Sequence, residues 1–146
     1  MSTNELTIRA TPEQVWDVLA DGWLYPLWVV GAARMRRFDP EWPEVGARIH
    51  HSVGLWPLLI NDHTEVLEMR RGEFLALRAR AWPAGAAEIA ITLTPNREHT
   101  DVKLEEKVTS GPGTLLPPPI EGLSLKWRNS EALQRLASIA EQRTTP

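Results

Sequence analysis

Few side chains in this sequence have the chemistry to act on a substrate or grip a ligand, and their phases say which of them could meet. Two histidines stand side by side in "ARIHHSVGLWP", residues 47–57. Consecutive residues of a strand point to opposite faces, so His50 and His51 are poor joint ligands for one metal unless a bulge intervenes. Ile49, His51, Val53 and Leu55 share one phase, and Arg48, His50, Ser52 and Gly54 share the other. That pattern turns His51 inward and His50 to solvent. An inward histidine can act as a general base near neutral pH or donate a hydrogen bond to a ligand oxygen. It can equally be a histidine satisfied inside a mixed core.

Glu106 falls in phase with Val102, Leu104 and Val108, which aims a carboxylate at the core. A buried charge needs a partner or a raised pKa, so Glu106 is a candidate for acid-base work or ligand anchoring, and equally for a structural ion pair with an arginine. Asp62 shares a phase with Ile60, Thr64 and Val66. The opposite phase, Asn61, His63, Glu65 and Leu67, is almost as good, so the pattern leaves open whether Asp62 joins His51 and Glu106 inside. Near the C-terminus Asn129 interrupts an apolar stripe, four residues from both Leu125 and Leu133. A buried amide must find a partner, which a ligand could supply. Arg128 borders the same stripe and Trp127 points nearer the polar face; the competing reading is that Arg128 and Asn129 tie the helix to the preceding loop. Tyr25, Trp28, Trp56 and Trp82 are candidates for the walls of a ligand site, although aromatic residues also serve as ordinary core.

Other chemistry finds no support. The histidines at 50, 51, 63 and 99 lack metal-ligand spacing, "GPG" lacks the surroundings of a phosphate-binding loop, and no nucleophile stands out. No cofactor is expected. Zero cysteines rule out disulfides and thiolate chemistry and fit a reducing compartment. The net charge is −3 and the arginines are scattered, so nothing favours a nucleic-acid partner. The first ten residues have neither the basic start nor the apolar core of a signal peptide, and the charge-free run from Gly22 to Ala33 is too short to span a bilayer. The expectation is a soluble, cytoplasmic protein without membrane insertion. The sequence leaves the oligomeric state open, a homodimer included.

These side chains need elements to hold them. At 146 residues the chain suits one domain spanning 1–146, which buries roughly 68 to 70% of its unfolded surface. Residues 4–9 alternate as a short strand. In "TPEQVWDVLAD", Thr11 is a good N-cap, Pro12 suits the first helical position and Gln14 completes a capping box, with Val15, Trp16 and Leu19 facing the core. A short helical or irregular segment, "GWLYPLWVVGAA", follows. Six strands are predicted over 33–39, 46–54, 59–69, 73–82, 86–94 and 101–109, separated by short turn-forming segments that suit antiparallel hairpins. The proline-rich loop "SGPGTLLPPPIEG" breaks regular pairing, and residues 121–142 read as one helix of about 33 Å.

The motifs "TPEQVWDVLAD", "WPEVGARIHHSVG", "DHTEVLEM" and "RNSEALQRLASIAE", in this order of elements, resemble the START-like superfamily, also called SRPBCC or birch-pollen-allergen-like proteins, in its polyketide cyclase/dehydrase-like branch. The resemblance covers nearly the whole chain. It implies an α+β helix-grip fold, with a seven-stranded antiparallel sheet curled around a long C-terminal helix and two short helices between strands 1 and 2. It also implies a cavity that takes apolar or amphipathic small molecules such as lipids, sterols or polyketides. Some such proteins catalyse cyclisation or dehydration and others only carry or sense a ligand. Here the expected partner is an apolar small molecule, and the alternative is an enzyme using His51, Asp62 or Glu106 to move protons.

Overall fold

A computed structural model of the chain describes residues 2–29, 32–53, 60–81, 85–111 and 118–143. Strand β1 (Ser2–Ile8) leads into helix α1 (Pro12–Ala20), a 3₁₀ turn (Gly22–Leu24) and the single-turn helix α2 (Tyr25–Trp28). Six strands follow: β2 (Ala32–Phe38), β3 (Arg48–Val53), β4 (Ile60–Arg70), β5 (Phe74–Ala81), β6 (Gly85–Asn96) and β7 (His99–Ser110). Helix α3 (Pro118–Arg143) ends the order. All pairings are antiparallel and the sheet order is β1-β7-β6-β5-β4-β3-β2, the expected helix-grip architecture. Because β1 pairs with β7 rather than β2, the stretch containing α1 and α2 must carry the chain from one edge of the sheet to the other.

Local chemistry accounts for the elements. Thr11 Oγ1 accepts from the Gln14 backbone at 3.2 Å while Gln14 Oε1 accepts from the Thr11 backbone at 2.8 Å, the reciprocal capping box that starts α1. Helix α3 starts three residues earlier than the sequence pattern suggested. Pro118 and Pro119 fill its first turn, where a backbone N–H has no helical partner to lose. The β6–β7 hairpin closes over Arg97 and Glu98, with Arg97 at φ 60°, the left-handed geometry that a two-residue hairpin turn demands of its first residue. Register shifts occur in β2 against β3, between Val66 and Glu68 in β4, and between Val108 and Ser110 in β7 where it meets Ala87 and Ala86 of β6. Each such irregularity bends its strand and adds twist.

The core lies between the sheet and the helices. It gathers Ile8 from β1, Val15, Trp16, Val18 and Leu19 from α1, and one phase of each central strand, with Leu133, Leu136 and Ala140 of α3. Helix α3 is further fixed to β1, where Asn4 Nδ2 donates to the Lys126 carbonyl at 3.0 Å, and Thr100 Oγ1 pins the end of β1 by donating to the Ala10 carbonyl at 2.7 Å. No helix among the described residues is long and apolar enough to cross a membrane.

Candidate functional site

The inner side of the sheet is apolar except for a run of polar side chains opposite α2 and α3. On β3 the phase argument holds, with Ile49 fully buried and His51 3% exposed. The β3–β4 register settles the question left open for β4, because Ile49 opposes Thr64 and His51 opposes Asp62, and directly opposed residues share a face. Asp62 is therefore in the inward phase. Its carboxylate accepts from the neighbouring His63 backbone at 2.9 Å.

His50 lies on the opposite face, but the expectation that it meets open solvent is corrected. Its side chain is only 16% exposed, with Nε2 3.6 Å from Asp39 Oδ1 and its ring 6.3 Å from that of His63. The cross-strand pairing of His50 with His63 sets two imidazoles side by side on the outer face, their planes tilted by 52°, and leaves each only partly exposed. Burial, the largest cause, together with the Arg48 charge, lowers the His63 pKa against the opposing pull of Asp62.

The inner polar groups are linked through Thr64. Its Oγ1 is 2.8 Å from the Tyr25 hydroxyl and 2.9 Å from His51 Nε2. Tyr25 also lies nearly parallel to His51, with ring centres 6.0 Å apart and planes 17° apart, and packs edge-on to Trp28 at 5.5 Å and to Trp42 at 6.2 Å. One hydroxyl carries one proton, so the direction of the chain depends on the imidazole. If Nε2 is bare, Tyr25 donates to Thr64 and Thr64 donates to His51. If Nε2 carries a proton, His51 donates to Thr64, and a Thr64 that then turns to Tyr25 frees the phenol O–H for another acceptor. Burial drives the Tyr25 pKa up to about 12, with the Glu106 charge adding to it, while the Thr64 hydrogen bond and the Arg128 charge pull the other way. Tyr25 is thus a neutral donor across the whole range in which histidine titrates.

Glu106 points inward from β7, as its phase predicted, and is 3% exposed. Its Oε2 accepts a hydrogen bond from Arg128 Nη2 of α3, the structural ion pair that was one of its two expected roles. The pair is asymmetric. The Glu106 side chain is 2% exposed and that of Arg128 40%, so the carboxylate is sealed in the layer while the guanidinium reaches towards solvent. Asn129, the next residue of α3, is 4% exposed, and Trp127 is 72% exposed, each on the side the stripe predicted.

The structure therefore brings together Tyr25, Trp28, His51, Glu106 and Arg128, with Asn129 beside them on α3 and Asp62 in the same phase. Trp56 and Trp82, the other expected wall residues, lie outside the described residues. Two residues with roles here were not expected as site residues. Thr64 was visible only as a small polar residue in a strand phase. Trp42 sits in a proline-flanked turn, a context that reads as exposed loop, yet it is 6% exposed and its indole donates to the Leu19 carbonyl at 3.2 Å. Among the described residues, no group of three His, Cys, Asp or Glu side chains could hold a metal ion.

Residues 2–141 match the family model described as "Polyketide cyclase / dehydrase and lipid transport". No curated protein matches the sequence at significance. Among solved structures, a conserved protein from Geobacillus kaustophilus is similar at 17% identity and a TM-score of 0.73, over 96% of this chain and 94% of that one. A protein from Nitrosomonas europaea has 16% identity and a TM-score of 0.70, over 99% of this chain and 97% of that one. DynU16, described as a putative protein in the dynemicin biosynthetic locus, has 20% identity and a TM-score of 0.66, over 96% of this chain and 46% of that one. At these identities the likeness is one of fold.

Proposed function

From the premise that the chain belongs to the polyketide cyclase/dehydrase and lipid transport family, we propose that it binds an apolar, polyketide- or lipid-like small molecule between the sheet and α3, with residues 1–146 working as one unit. The observation that carries the reading is the buried polar cluster in an otherwise apolar layer: the Tyr25–Thr64–His51 chain facing the Glu106–Arg128 pair. A layer that served only as core has no need of a buried carboxylate, since replacing such a pair by apolar side chains of the same shape is often neutral or stabilising. A small set of placed polar groups on apolar walls is what fixes the orientation of a bound small molecule. Tyr25 and Trp28 supply aromatic wall, and Arg128, Asn129, His51 and Glu106 supply polar contacts.

A second reading, an enzyme of the cyclase or dehydratase type, draws on the Tyr25–Thr64–His51 chain. His51 there has a hydroxyl relay that can accept or return a proton, with Asp62 or Glu106 as further acid-base groups and the aromatic wall holding the substrate in a reactive shape. A carrier needs only the anchors; an enzyme needs His51 to exchange protons with the ligand.

Native mass spectrometry of protein purified from its own host tests the binding reading by looking for a co-purified small molecule. Titration with an apolar dye provides the second measurement. With Trp28 beside the site, tryptophan fluorescence is expected to quench saturably, and quenching that never saturates counts against a defined site. His51→Ala separates the two readings, since a carrier keeps its ligand intact with or without the imidazole, whereas an enzyme turns the co-purified compound over only when His51 is present.

A further inference from the structure

Three buried polar atoms of this layer have no hydrogen-bond partner among the described residues: the indole Nε1 of Trp28, Oε1 of Glu106 and Nδ2 of Asn129. Their residues are 3%, 3% and 4% exposed, so bulk water does not reach them. Native interiors pair nearly all such groups, and a specific exception calls for an explanation. These three come from three elements, of which α3 packs against both α2 and β7. Trp28 of α2 packs edge-on to Tyr25, Tyr25 feels the charges of both Glu106 and Arg128, Arg128 of α3 bonds to Glu106 of β7, and Asn129 follows Arg128 along the helix.

The chemistry of the three atoms specifies what would satisfy them. An indole N–H only donates, an ionised carboxylate oxygen only accepts, and an amide N–H only donates, so the three ask for one donor and for acceptor oxygens. Resting on the reading that this layer binds a small molecule, we infer that the ligand is an uncharged apolar compound carrying both a hydroxyl, which donates to Glu106 Oε1, and a carbonyl or second hydroxyl oxygen, which accepts from Trp28 Nε1. A plain hydrocarbon leaves all three atoms unpaired. A carboxylate ligand could accept from Trp28, but it would place a second anion beside Glu106, whose charge Arg128 already balances, and burying an unbalanced charge is costly. Fatty-acid anions and simple alkanes are thereby disfavoured, and neutral compounds that combine a hydroxyl with a carbonyl or second hydroxyl are favoured.

The test is displacement of bound Nile red, a neutral apolar dye, by four naphthalenes that share a skeleton: naphthalene, 2-naphthol, 2-acetylnaphthalene and 2-naphthoate. On the wild-type protein, 2-naphthol and 2-acetylnaphthalene are expected to displace the dye at roughly tenfold lower concentration than naphthalene, about one hydrogen bond each, and 2-naphthoate no better than naphthalene. The variants separate the two anchors. Trp28→Phe keeps an aromatic ring and is expected to remove the advantage of 2-acetylnaphthalene alone, and Glu106→Gln to remove most of the advantage of 2-naphthol alone. The wild-type ranking stands even if a variant fails to fold. If Nile red binds without saturation, the binding reading fails and this inference falls with it. If the dye binds at a defined site but naphthalene competes as well as its oxygenated relatives, or 2-naphthoate competes best, the site is real and the inferred ligand chemistry is wrong.

Discussion

Thr64→Val deletes one hydroxyl and keeps the β-branched shape, so it tests whether the buried chain through Thr64 holds the inner face together. Two hydrogen bonds are lost, at 2.8 Å to Tyr25 and 2.9 Å to His51, both wholly inside the protein. At about 0.5–1.5 kcal/mol each the loss is about 1–3 kcal/mol. For a chain of 146 residues, where each kcal/mol moves Tm by about 2–4 °C, the expected drop is about 2–12 °C. Thr64→Ser keeps the hydroxyl and gives up one methyl, roughly 1 kcal/mol, so it is expected to melt above Thr64→Val. A second readout isolates the tyrosine. Tyr25 is the only tyrosine in the sequence, so the ultraviolet absorbance of tyrosinate reports on it alone. Burial raises its pKa to about 12 and the Thr64 hydrogen bond is the largest influence opposing that rise, so Thr64→Val moves its ionisation further up. Rapid alkaline jumps on the folded protein measure the shift before unfolding intervenes. A valine variant that melts within 1 °C of wild type, with the Tyr25 ionisation unmoved, refutes the reasoning.

The wild-type protein is expected to lose stability on the alkaline side for the same reason. Unfolded tyrosine ionises near 10 and folded Tyr25 near 12, so between those values unfolding releases a proton, and stability falls as pH rises by about 2–3 kcal/mol in all; urea unfolding at pH 9 and pH 11.5 measures it. Breaking the Glu106–Arg128 pair is expected to be unequal in its two directions. Glu106→Gln leaves a guanidinium whose side chain, 40% exposed, can turn to water, whereas Arg128→Met strands a carboxylate that is 2% exposed, so the second variant should lose about 3–5 kcal/mol and the first distinctly less; equal losses would mean that Glu106 relaxes to solvent. Gly22→Ala is expected to cost about 1–3 kcal/mol in chemical denaturation, because the added methyl would sit 2.7–2.9 Å from three carbons of the Phe38 ring.

What could be read from the sequence and what could not divides along the range of the interactions. The capping box of α1, the strand phases that bury Glu106 and His51, and the stripe of α3 are set within a few residues, so periodicity and capping chemistry reach them. The side of β4 that faces inward was not legible, because its two phases differ little in polarity. Only the alignment of Asp62 with His51, a pairing between strands, decides it. Trp42 was passed over for a related reason. Its flanking residues specify a turn, while its burial depends on the Leu19 carbonyl more than twenty positions away. The Glu106–Arg128 pair lies between these cases: the sequence asked for either a partner or a raised pKa for the carboxylate and placed Arg128 at the edge of the stripe, but only packing α3 on the sheet joins them.

The charge state of the buried layer follows from these pairings and bears directly on what it can hold. Glu106 is balanced by Arg128, and Tyr25 stays neutral to about 12 because burial opposes its ionisation. The pair contributes one compensated charge and the Tyr25–Thr64 link none, and the direction of the hydrogen bonds through Thr64 is set by which ring nitrogen of His51 carries a proton. A neutral ligand can enter without disturbing the Glu106–Arg128 balance, and its oxygens can replace hydrogen bonds lost on leaving water. A ligand bearing charge would add an unbalanced charge to the layer, which is costly to bury. The polar side chains thus do more than orient a guest on an apolar wall, because their mutual neutralisation sets a condition on the guest's own charge.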